Sequence, residues 1–357
     1  MKQQNQECPV IVAAAHAAPA NDIPQELVRA AVAQQFAGKI DDLEKILAIF
    51  DHSRIKRRQF VRPPDWHAHP HTWAERNQIY QHDGLELMVR AAQSCLASAG
   101  CTPQDVDQIV FVSSTGFATP TLDAYLINRL GFKSSVSRVP IWGLGCAAGA
   151  VGITRAADYC LARPRSRALL VALEICSLAF MAGELSKKNL VATSLFGDGA
   201  GAVLLAGAET GSSGPRVLAS CSHLYPDSYR IMGWDFLDEG MQLVLSPQLP
   251  AMINQNLTPL VSQFLAQKDL QTSDMSHYFT HPGGARVVDA YREALHLNTS
   301  ELALTEEVLS LHGNISSVSV VAVMDRWFQN NVKPEPGYGL LSAFGPGFSA
   351  ELALLEV

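Results

Sequence analysis

Phe196-Gly-Asp-Gly-Ala-Gly-Ala-Val-Leu-Leu205 and Phe344-Gly-Pro-Gly-Phe-Ser-Ala-Glu-Leu-Ala-Leu-Leu355 carry one pattern twice. Each is Phe-Gly-x-Gly followed by a run of small and apolar residues with strand character. They begin 148 residues apart, close to half of the 357-residue chain. A motif that recurs at half-length predicts a weak internal repeat, with two similar halves closing near residues 206 and 357. Ser212-Ser-Gly-Pro215 supplies the nearest boundary and divides the chain into residues 1–212 and 213–357. Between residues 107 and 175, two short β-rich runs, Asp107-Gln-Ile-Val-Phe-Val-Ser113 and Arg167-Ala-Leu-Leu-Val-Ala-Leu-Glu-Ile175, flank a helix over about 147–162. Strand, helix, strand in that order predicts an α/β sheet with right-handed crossovers. Val10 to Ala20 reads as a first strand running into a loop, residues 22–49 and 84–100 as helical, and His52 to Arg76 as an exposed loop.

Composition narrows the function classes. Apolar residues make up 48% and charged ones 17%, enough for a large core. Lys plus Arg is 27 against 34 for Asp plus Glu, a net charge of −7. That balance argues against a nucleic-acid binder, whose phosphate contacts need a basic face. No apolar run reaches the length of about 18 residues that a membrane span needs. The seven cysteines are irregularly spaced without a CxxC pair. That points to reduced thiols and a cytoplasmic protein.

Three residues in strand-end contexts carry candidate chemistry. Cys146 sits in Ile141-Trp-Gly-Leu-Gly-Cys-Ala-Ala-Gly-Ala-Val-Gly152. Glycines before the thiol permit a sharp turn, and small residues after it allow a closely packed helix. A thiol at that helix N-terminus faces free N–H groups, which favour the nucleophilic thiolate. A lone cysteine is otherwise a buried structural residue. His281 opens His-Pro-Gly-Gly284 after the apolar Tyr278-Phe279, and Asn314 lies in Gly313-Asn-Ile-Ser-Ser317. Alone these read as a turn histidine and a helix cap. Together with Cys146 they suit a nucleophile assembled between two halves. The His67-Ala-His-Pro-His71 spacing suggests metal ligands, but its prolines favour a solvated loop, and no metal site is expected. Asp198 reads as a turn residue.

These motifs resemble the type III polyketide synthases, the chalcone-synthase-like branch of the thiolase superfamily. The cysteine elbow at 146, Leu195-Phe-Gly-Asp-Gly199, His281-Pro-Gly-Gly284, Gly313-Asn-Ile-Ser-Ser317 and Phe344-Gly-Pro-Gly347 occur in family order. The resemblance implies a thiolase-like αβαβα fold and a homodimer. It implies that Cys146 accepts the acyl group, that His281 pairs with its thiolate, and that His281 and Asn314 hydrogen-bond the enolate formed from malonyl-CoA. Phe196 would be a gatekeeper, and Gly345, Pro346 and Gly347 would border the site. Substrates would be acyl-CoA and malonyl-CoA, with no cofactor. Ketoacyl synthase III enzymes share the Cys-His-Asn logic with different surroundings. A non-catalytic acyl-binding protein would lack a triad residue.

Departures from the plant enzymes set the expectations for substrate. Leu243 aligns with a second gatekeeper phenylalanine. Of the coenzyme A phosphate contacts Lys45 is retained, while Ala48 and His52 occupy the other two positions. Nearby Lys56 and Arg57, with Arg54 and Arg58, are the candidates to compensate. Pocket positions read Ser114, Thr115, Cys176 and Ala179, and Thr119 replaces a residue that reaches across the dimer. Small residues here imply an apolar tunnel for a medium or long acyl tail, unless Trp234 fills the space. Glu174-Ile-Cys-Ser-Leu178 and Ser113-Ser-Thr-Gly-Phe-Ala-Thr-Pro120 resemble bacterial alkylpyrone-forming members more than plant chalcone synthases. The expected product is an alkylpyrone or alkylresorcinol.

Overall fold

The computed structural model describes residues 7–238, 240–330 and 335–357. In chain order the strands are β1 (Val10–Ala17), β2 (Asn21–Pro24), β3 (Arg57–Phe60), β4 (Gln108–Ser113), β5 (Ser137–Trp142), β6 (Arg167–Ile175), β7 (Asp198–Ala206), β8 (Arg216–Leu224), β9 (Met232–Leu237), β10 (Gly240–Leu245), β11 (Met275–Thr280), β12 (Tyr338–Gly345) and β13 (Ser349–Glu356). Nine of them form one mixed sheet in the order β11-β12-β13-β8-β1-β7-β6-β4-β5, while β2–β3 and β9–β10 form separate ribbons. Pairing from β1 through β7 and β6 to β4 runs antiparallel, antiparallel, parallel. From β8 through β13 and β12 to β11 the same series recurs. The two Phe-Gly-x-Gly motifs lead into β7 and β13, which hold equivalent places in the two series. β1 and β8 meet at a single register pair, Val10 with Arg216.

The strands that read as continuous apolar runs are buried on both faces. Every residue of β4 and β7 is buried. The helices Ala148–Ala162 and Val318–Asn330 form the middle layer. Ile153, Val320 and Val321 pack with Val110 and Val203 from one series of strands and with Leu341 and Ala353 from the other. The helix Trp73–Ser98 covers the outer face of the first series, setting Leu87 and Met88 against Phe111 and Leu204. The helices Leu249–Ala266 and Ala285–Leu295 cover the second, with Leu257, Val261 and Val288 against Leu340 and Leu352. The result is the five-layered thiolase-like arrangement.

Three local readings change. The helical stretch 22–49 is broken into β2 and the helices Gln25–Phe36 and Leu43–Asp51. Gly38 and Asp42 between the two helices take left-handed backbone conformations that no helix accommodates. The second helix begins at Trp73 rather than near Gly84, because Thr72 and Glu75 form a capping box there. The segment 52–76 is not all loop. β3 pairs with β2, and Pro64–His67 forms a helical turn.

The middle layer depends on close backbone approach. A Cβ at Gly149 would stand 2.2 Å from the Ser317 carbonyl oxygen and 2.7 Å from Val320 Cγ1. Neither neighbour can yield, since both belong to the facing helix or to the Gly-Asn-Ile-Ser-Ser turn before it. Gly149→Ala should therefore lower stability by on the order of 2 kcal/mol through overpacking. Gly183→Ala, with open space at its Cβ, should change it by less than about 0.5 kcal/mol. Comparison of denaturation midpoints checks this.

Candidate active site

Cys146 lies in a one-turn 3₁₀ segment, Gly145–Ala147, that feeds the middle-layer helix Ala148–Ala162. β5 ends at Trp142, and Gly143 and Gly145 both have positive φ, so the chain reverses sharply before the thiol. The turn is braced from two sides. The Gly145 N–H donates to Ser114 Oγ at 3.1 Å. The Phe344-Gly-Pro-Gly347 loop presses on it so closely that a Cβ at Gly345 would lie 2.6 Å from the Leu144 carbonyl oxygen. A Cβ at Gly145 would lie 2.8 Å from Pro346 Cδ. Gly347 faces away, toward Leu224 and Ser228.

Asn314 joins the nucleophile to the histidine turn. Cys146 Sγ lies 3.9 Å from Asn314 Oδ1 and 3.6 Å from Ser316 Oγ. The other end of the same amide, Nδ2, donates to the Gly283 carbonyl at 3.2 Å, inside His281-Pro-Gly-Gly284. One Nδ2 hydrogen remains for a substrate oxygen. The Asn314 backbone is equally constrained. Its N–H donates to Leu195 O at 2.9 Å, and its carbonyl accepts from Gly197 N at 3.0 Å, a bridge that carries Phe196 alongside. His281 follows β11 directly and donates its backbone N–H to Ser342 O at 2.9 Å. Its ring is buried, with neither nitrogen partnered among the described residues.

Burial opposes the pull toward thiolate that free N–H groups at the helix N-terminus exert on Cys146. Burial dominates and pushes the thiol up to about 12, and the nearby Glu174 pushes in the same direction. Burial likewise pushes His281 down to about 3. Neither group gains a charge alone in this low-dielectric site.

Two buried carboxylates were not identified as site residues. Glu174 stands at the end of β6, fully buried, and accepts from Ser114 N at 3.1 Å, Ser317 Oγ at 2.6 Å and Ser316 Oγ at 3.4 Å. Burial raises it to about 7. A glutamate inside the apolar run Leu169-Leu-Val-Ala-Leu-Glu174 was the available signal. Asp198 is no simple turn residue. It is fully buried at the start of β7 and accepts from Ser177 N, Ser177 Oγ and Val61 N. Burial raises it to about 6, against the opposing pull of Arg58.

A cavity of about 530 Å³ accounts for only part of the expected pocket. Cys176, Ala179 and Phe196 line it, together with Arg58, Phe180 and residues of the helix Gln25–Phe36. Ser114 and Thr115 do not. Thr115 borders a small adjacent pocket with Ala179, and its Oγ1 accepts from Ile175 N at 2.8 Å. Thr119 is exposed and outside the cavity. Leu243 is also absent from its wall. It pairs across β9–β10 with Trp234, whose ring centroid lies 5.8 Å from that of Phe196. The aromatic partner of Phe196 therefore comes from the neighbouring strand.

The basic cluster separates by depth. Arg58 is fully buried and donates to the Thr193 and Phe196 carbonyls, each at 2.6 Å, so it is unavailable to a phosphate at the surface. Lys45 pairs with Asp42 at 2.9 Å, Arg57 with Asp22 at 3.1 Å and Arg54 with Asp289 at 2.9 Å. Lys56 is exposed, with no ion pair among the described residues. The three histidines of the 67–71 segment part company. His71 stacks on Trp66 at 3.7 Å, His69 is exposed, and His67 lines the cavity rather than a solvated loop. No group of three or more His, Cys, Asp or Glu among the described residues is arranged to hold a metal.

Comparison with known proteins settles the family. Residues 1–210 match the N-terminal domain of the chalcone and stilbene synthases, and residues 216–357 match the C-terminal domain. The chain belongs to the chalcone and stilbene synthase family. A putative chalcone synthase of Bacillus subtilis is 38% identical over 349 residues, covering 95% of this chain and 96% of that one. A 1,3,6,8-tetrahydroxynaphthalene synthase of Streptomyces peucetius is 38% identical over 306 residues, 85% of this chain and 81% of its own. The crystal structure of the Streptomyces coelicolor enzyme of that name, a bacterial type III polyketide synthase, superposes with a TM-score of 0.92 at 30% identity, covering 97% and 99% of the two chains. This type III polyketide synthase is thus an acyltransferase that works on coenzyme A thioesters.

The electrostatics of the site give a pH signature. Glu174 acquires charge only as pH rises through about 7, and that charge opposes the Cys146 thiolate. Glu174→Gln should leave the rate of iodoacetamide alkylation of Cys146 unchanged below about pH 6, where both side chains are neutral, and raise it severalfold above about pH 8. Labelling rates across that range, with the modified peptide identified by mass spectrometry, test the sign.

Proposed function

We propose that this enzyme loads a medium- or long-chain acyl-CoA starter on Cys146, extends it with malonyl-CoA by decarboxylative Claisen steps, and releases it by cyclisation as an alkylpyrone or alkylresorcinol. One observation carries the reading. A single amide, Asn314, contacts the Cys146 sulfur at one end and the His281-Pro-Gly-Gly turn at the other, near an apolar cavity that begins at Cys176. In the proposed mechanism the Sγ proton moves to His281 as Sγ attacks the starter thioester. Coenzyme A leaves with that proton. Malonyl-CoA then loses carbon dioxide, and the enolate oxygen accepts hydrogen bonds from His281 and the remaining N–H of Asn314 Nδ2. The enolate carbon attacks the acyl thioester, and Sγ departs. Fixed donors aimed at charge that exists only along the reaction path do the catalytic work. These steps draw on thioester chemistry alone.

Lys56, which lacks an ion pair among the described residues, the half-exposed Arg57 and the exposed Lys45 are the proposed contacts for the coenzyme A phosphates. The proposed division into halves at 212/213 falls in the segment joining β7 to β8. Seven irregularly spaced cysteines without a CxxC pair support a reducing, cytoplasmic setting, and no helix among the described residues is long and apolar enough to cross a membrane.

Cys146→Ala should abolish acyl-enzyme formation and all product, because no other group can hold the chain. Asn314→Ala should slow malonyl-CoA decarboxylation by on the order of 10²-fold or more. Mass spectrometry of products from malonyl-CoA with a series of acyl-CoA starters decides the substrate. We expect higher kcat/KM at about eight carbons or more, since each buried methylene contributes about 0.8 kcal/mol. A tetrahydroxynaphthalene product would instead align the enzyme with the Streptomyces relatives named for it.

The homodimer is proposed from the outer edge of the sheet. β5 is the end strand, and Phe117, Trp142 and Phe236 form an exposed aromatic group beside it, with ring centroids 5.0 to 6.0 Å apart. Exposed apolar patches rimmed by polar residues mark association surfaces, and a two-fold contact would cover this one with its own copy. Trp142→Arg should shift the protein toward monomer at micromolar concentration, measured by light scattering. An unchanged dimer would place the interface elsewhere.

A further inference from the structure

The helix Ala303–His312 ends two residues before Asn314, and the segment around β3 caps it from outside. The last carbonyls of a helix have no partner within it. Here Leu309 O accepts from Gly313 N at 2.9 Å, Ser310 O from Lys56 N at 2.8 Å and Leu311 O from Gln59 Nε2 at 3.1 Å. Gly313 alone separates this helix from Asn314. It has a φ of 67° and no side chain to brace it, so a shift of His312 passes directly into the Asn314 turn.

Gln59 also fixes the His312 ring. The Gln59 amide is buried and meets three groups. Its Nε2 donates to Leu311 O and, at 2.9 Å, to Asp22 Oδ1, while its Oε1 lies 2.7 Å from His312 Nδ1. A carbonyl and a carboxylate both accept, so the amide nitrogen faces them and the amide oxygen faces the ring. That oxygen has no proton to give. His312 Nδ1 therefore carries one and donates it to Gln59. Burial, together with Arg326 and Arg57, pushes this histidine down to about 4 against the pull of Asp22, so the ring is neutral near pH 7. The ring also packs at a steep angle against His16 of β1, with centroids 4.6 Å apart. Gly199 of β7 leaves room for that contact, since a Cβ there would lie 2.9 Å from His16 Nε2. Arg58, beside Gln59 in β3, donates to the Phe196 carbonyl. Neighbouring residues of one short strand thus hold both sides of the place where Phe196 and Gly197 meet Asn314.

We propose that Gln59 and His312 are positioning residues for decarboxylation, their hydrogen bond holding the end of the helix Ala303–His312 so that the remaining N–H of Asn314 Nδ2 meets the enolate oxygen. The inference rests on the reading above that this N–H stabilises the enolate. Neither residue lines the cavity, and both act through Asn314. A donor of this kind works only when held within about 0.5 Å of its productive place.

The test uses the full-length enzyme and two readouts. Malonyl-CoA decarboxylation needs the Asn314 N–H, whereas iodoacetamide alkylation of Cys146 does not. His312→Phe keeps a ring but deletes the Nδ1 proton. It should lower kcat for decarboxylation by about fivefold to tenfold, the scale of one lost hydrogen bond. KM for malonyl-CoA and the alkylation rate should each stay within about twofold. His312→Asn sets an amide N–H near the place of Nδ1 and should recover most of kcat. In an Asn314→Ala background, His312→Phe should cost nothing further, because the group it positions is gone. Unchanged kcat in His312→Phe, an equal fall in alkylation, no recovery in His312→Asn, or an undiminished cost in the Asn314→Ala background would each overturn the proposal. Asn314→Ala alone separates the two readings. If it leaves decarboxylation intact, the role of Asn314 fails and the proposal with it. If it slows decarboxylation while His312→Phe does not, only the positioning pair fails.

Discussion

The pairing of Phe196 and Gly197 with Asn314 is the constraint on which the site depends. Two backbone hydrogen bonds, at Leu195 and Gly197, bring the start of one Phe-Gly-x-Gly motif against the Gly-Asn-Ile-Ser-Ser turn 117 residues later. The approach requires glycine on both sides. A Cβ at Gly197 would meet the His312 carbonyl oxygen at 2.4 Å, and one at Gly313 would meet the Leu195 carbonyl oxygen at 2.6 Å. Arg58 lies beneath this crossing and holds the Phe196 carbonyl from the other side. The crossing therefore orients the gate ring and the Asn314 amide together, and it sets part of the cavity wall.

What was legible in the sequence was local backbone chemistry. Glycine turns at 143–145, 283–284 and 313 announced Cys146, His281 and Asn314, because each turn needs conformations or close contacts that side chains forbid. The repeated Phe-Gly-x-Gly announced two strands in equivalent places. What remained hidden depends on tertiary contacts. Arg58 sits in a basic run like its neighbours, yet only its side chain turns inward. Leu243 suggested a missing aromatic, but Trp234 supplies one from the paired strand, a relation set by register. The hydroxyls of Ser114 and Thr115 accept from backbone N–H groups, a bracing role that depends on the fold. Burial at Cys146, which opposes the pull of the helix end, was also hidden, because removal from water depends on the packing around the thiol.

Glu174 and Asp198 show how the interior handles charge. They belong to adjacent strands, and Asp198 lies opposite Ile175, the neighbour of Glu174. Serine hydroxyls and backbone N–H groups satisfy both carboxylates, and only Asp198 feels a nearby cation. Groups held this way stay close to the point of protonation near neutral pH, unlike carboxylates held by salt bridges, whose charge is fixed. The region behind the thiol is thus electrically soft.

The strand that shows Trp142 to the outside also delivers the thiol. Only Gly143, Leu144 and Gly145 separate the last residue of β5 from Cys146. The following turn is gripped by Ser114 and by the Gly345–Pro346 loop, so it has little slack in which to absorb movement. A load placed on the aromatic face would pass along a taut length of backbone to the sulfur. The outer edge of the sheet and the reactive centre are thus joined by a short, braced length of backbone.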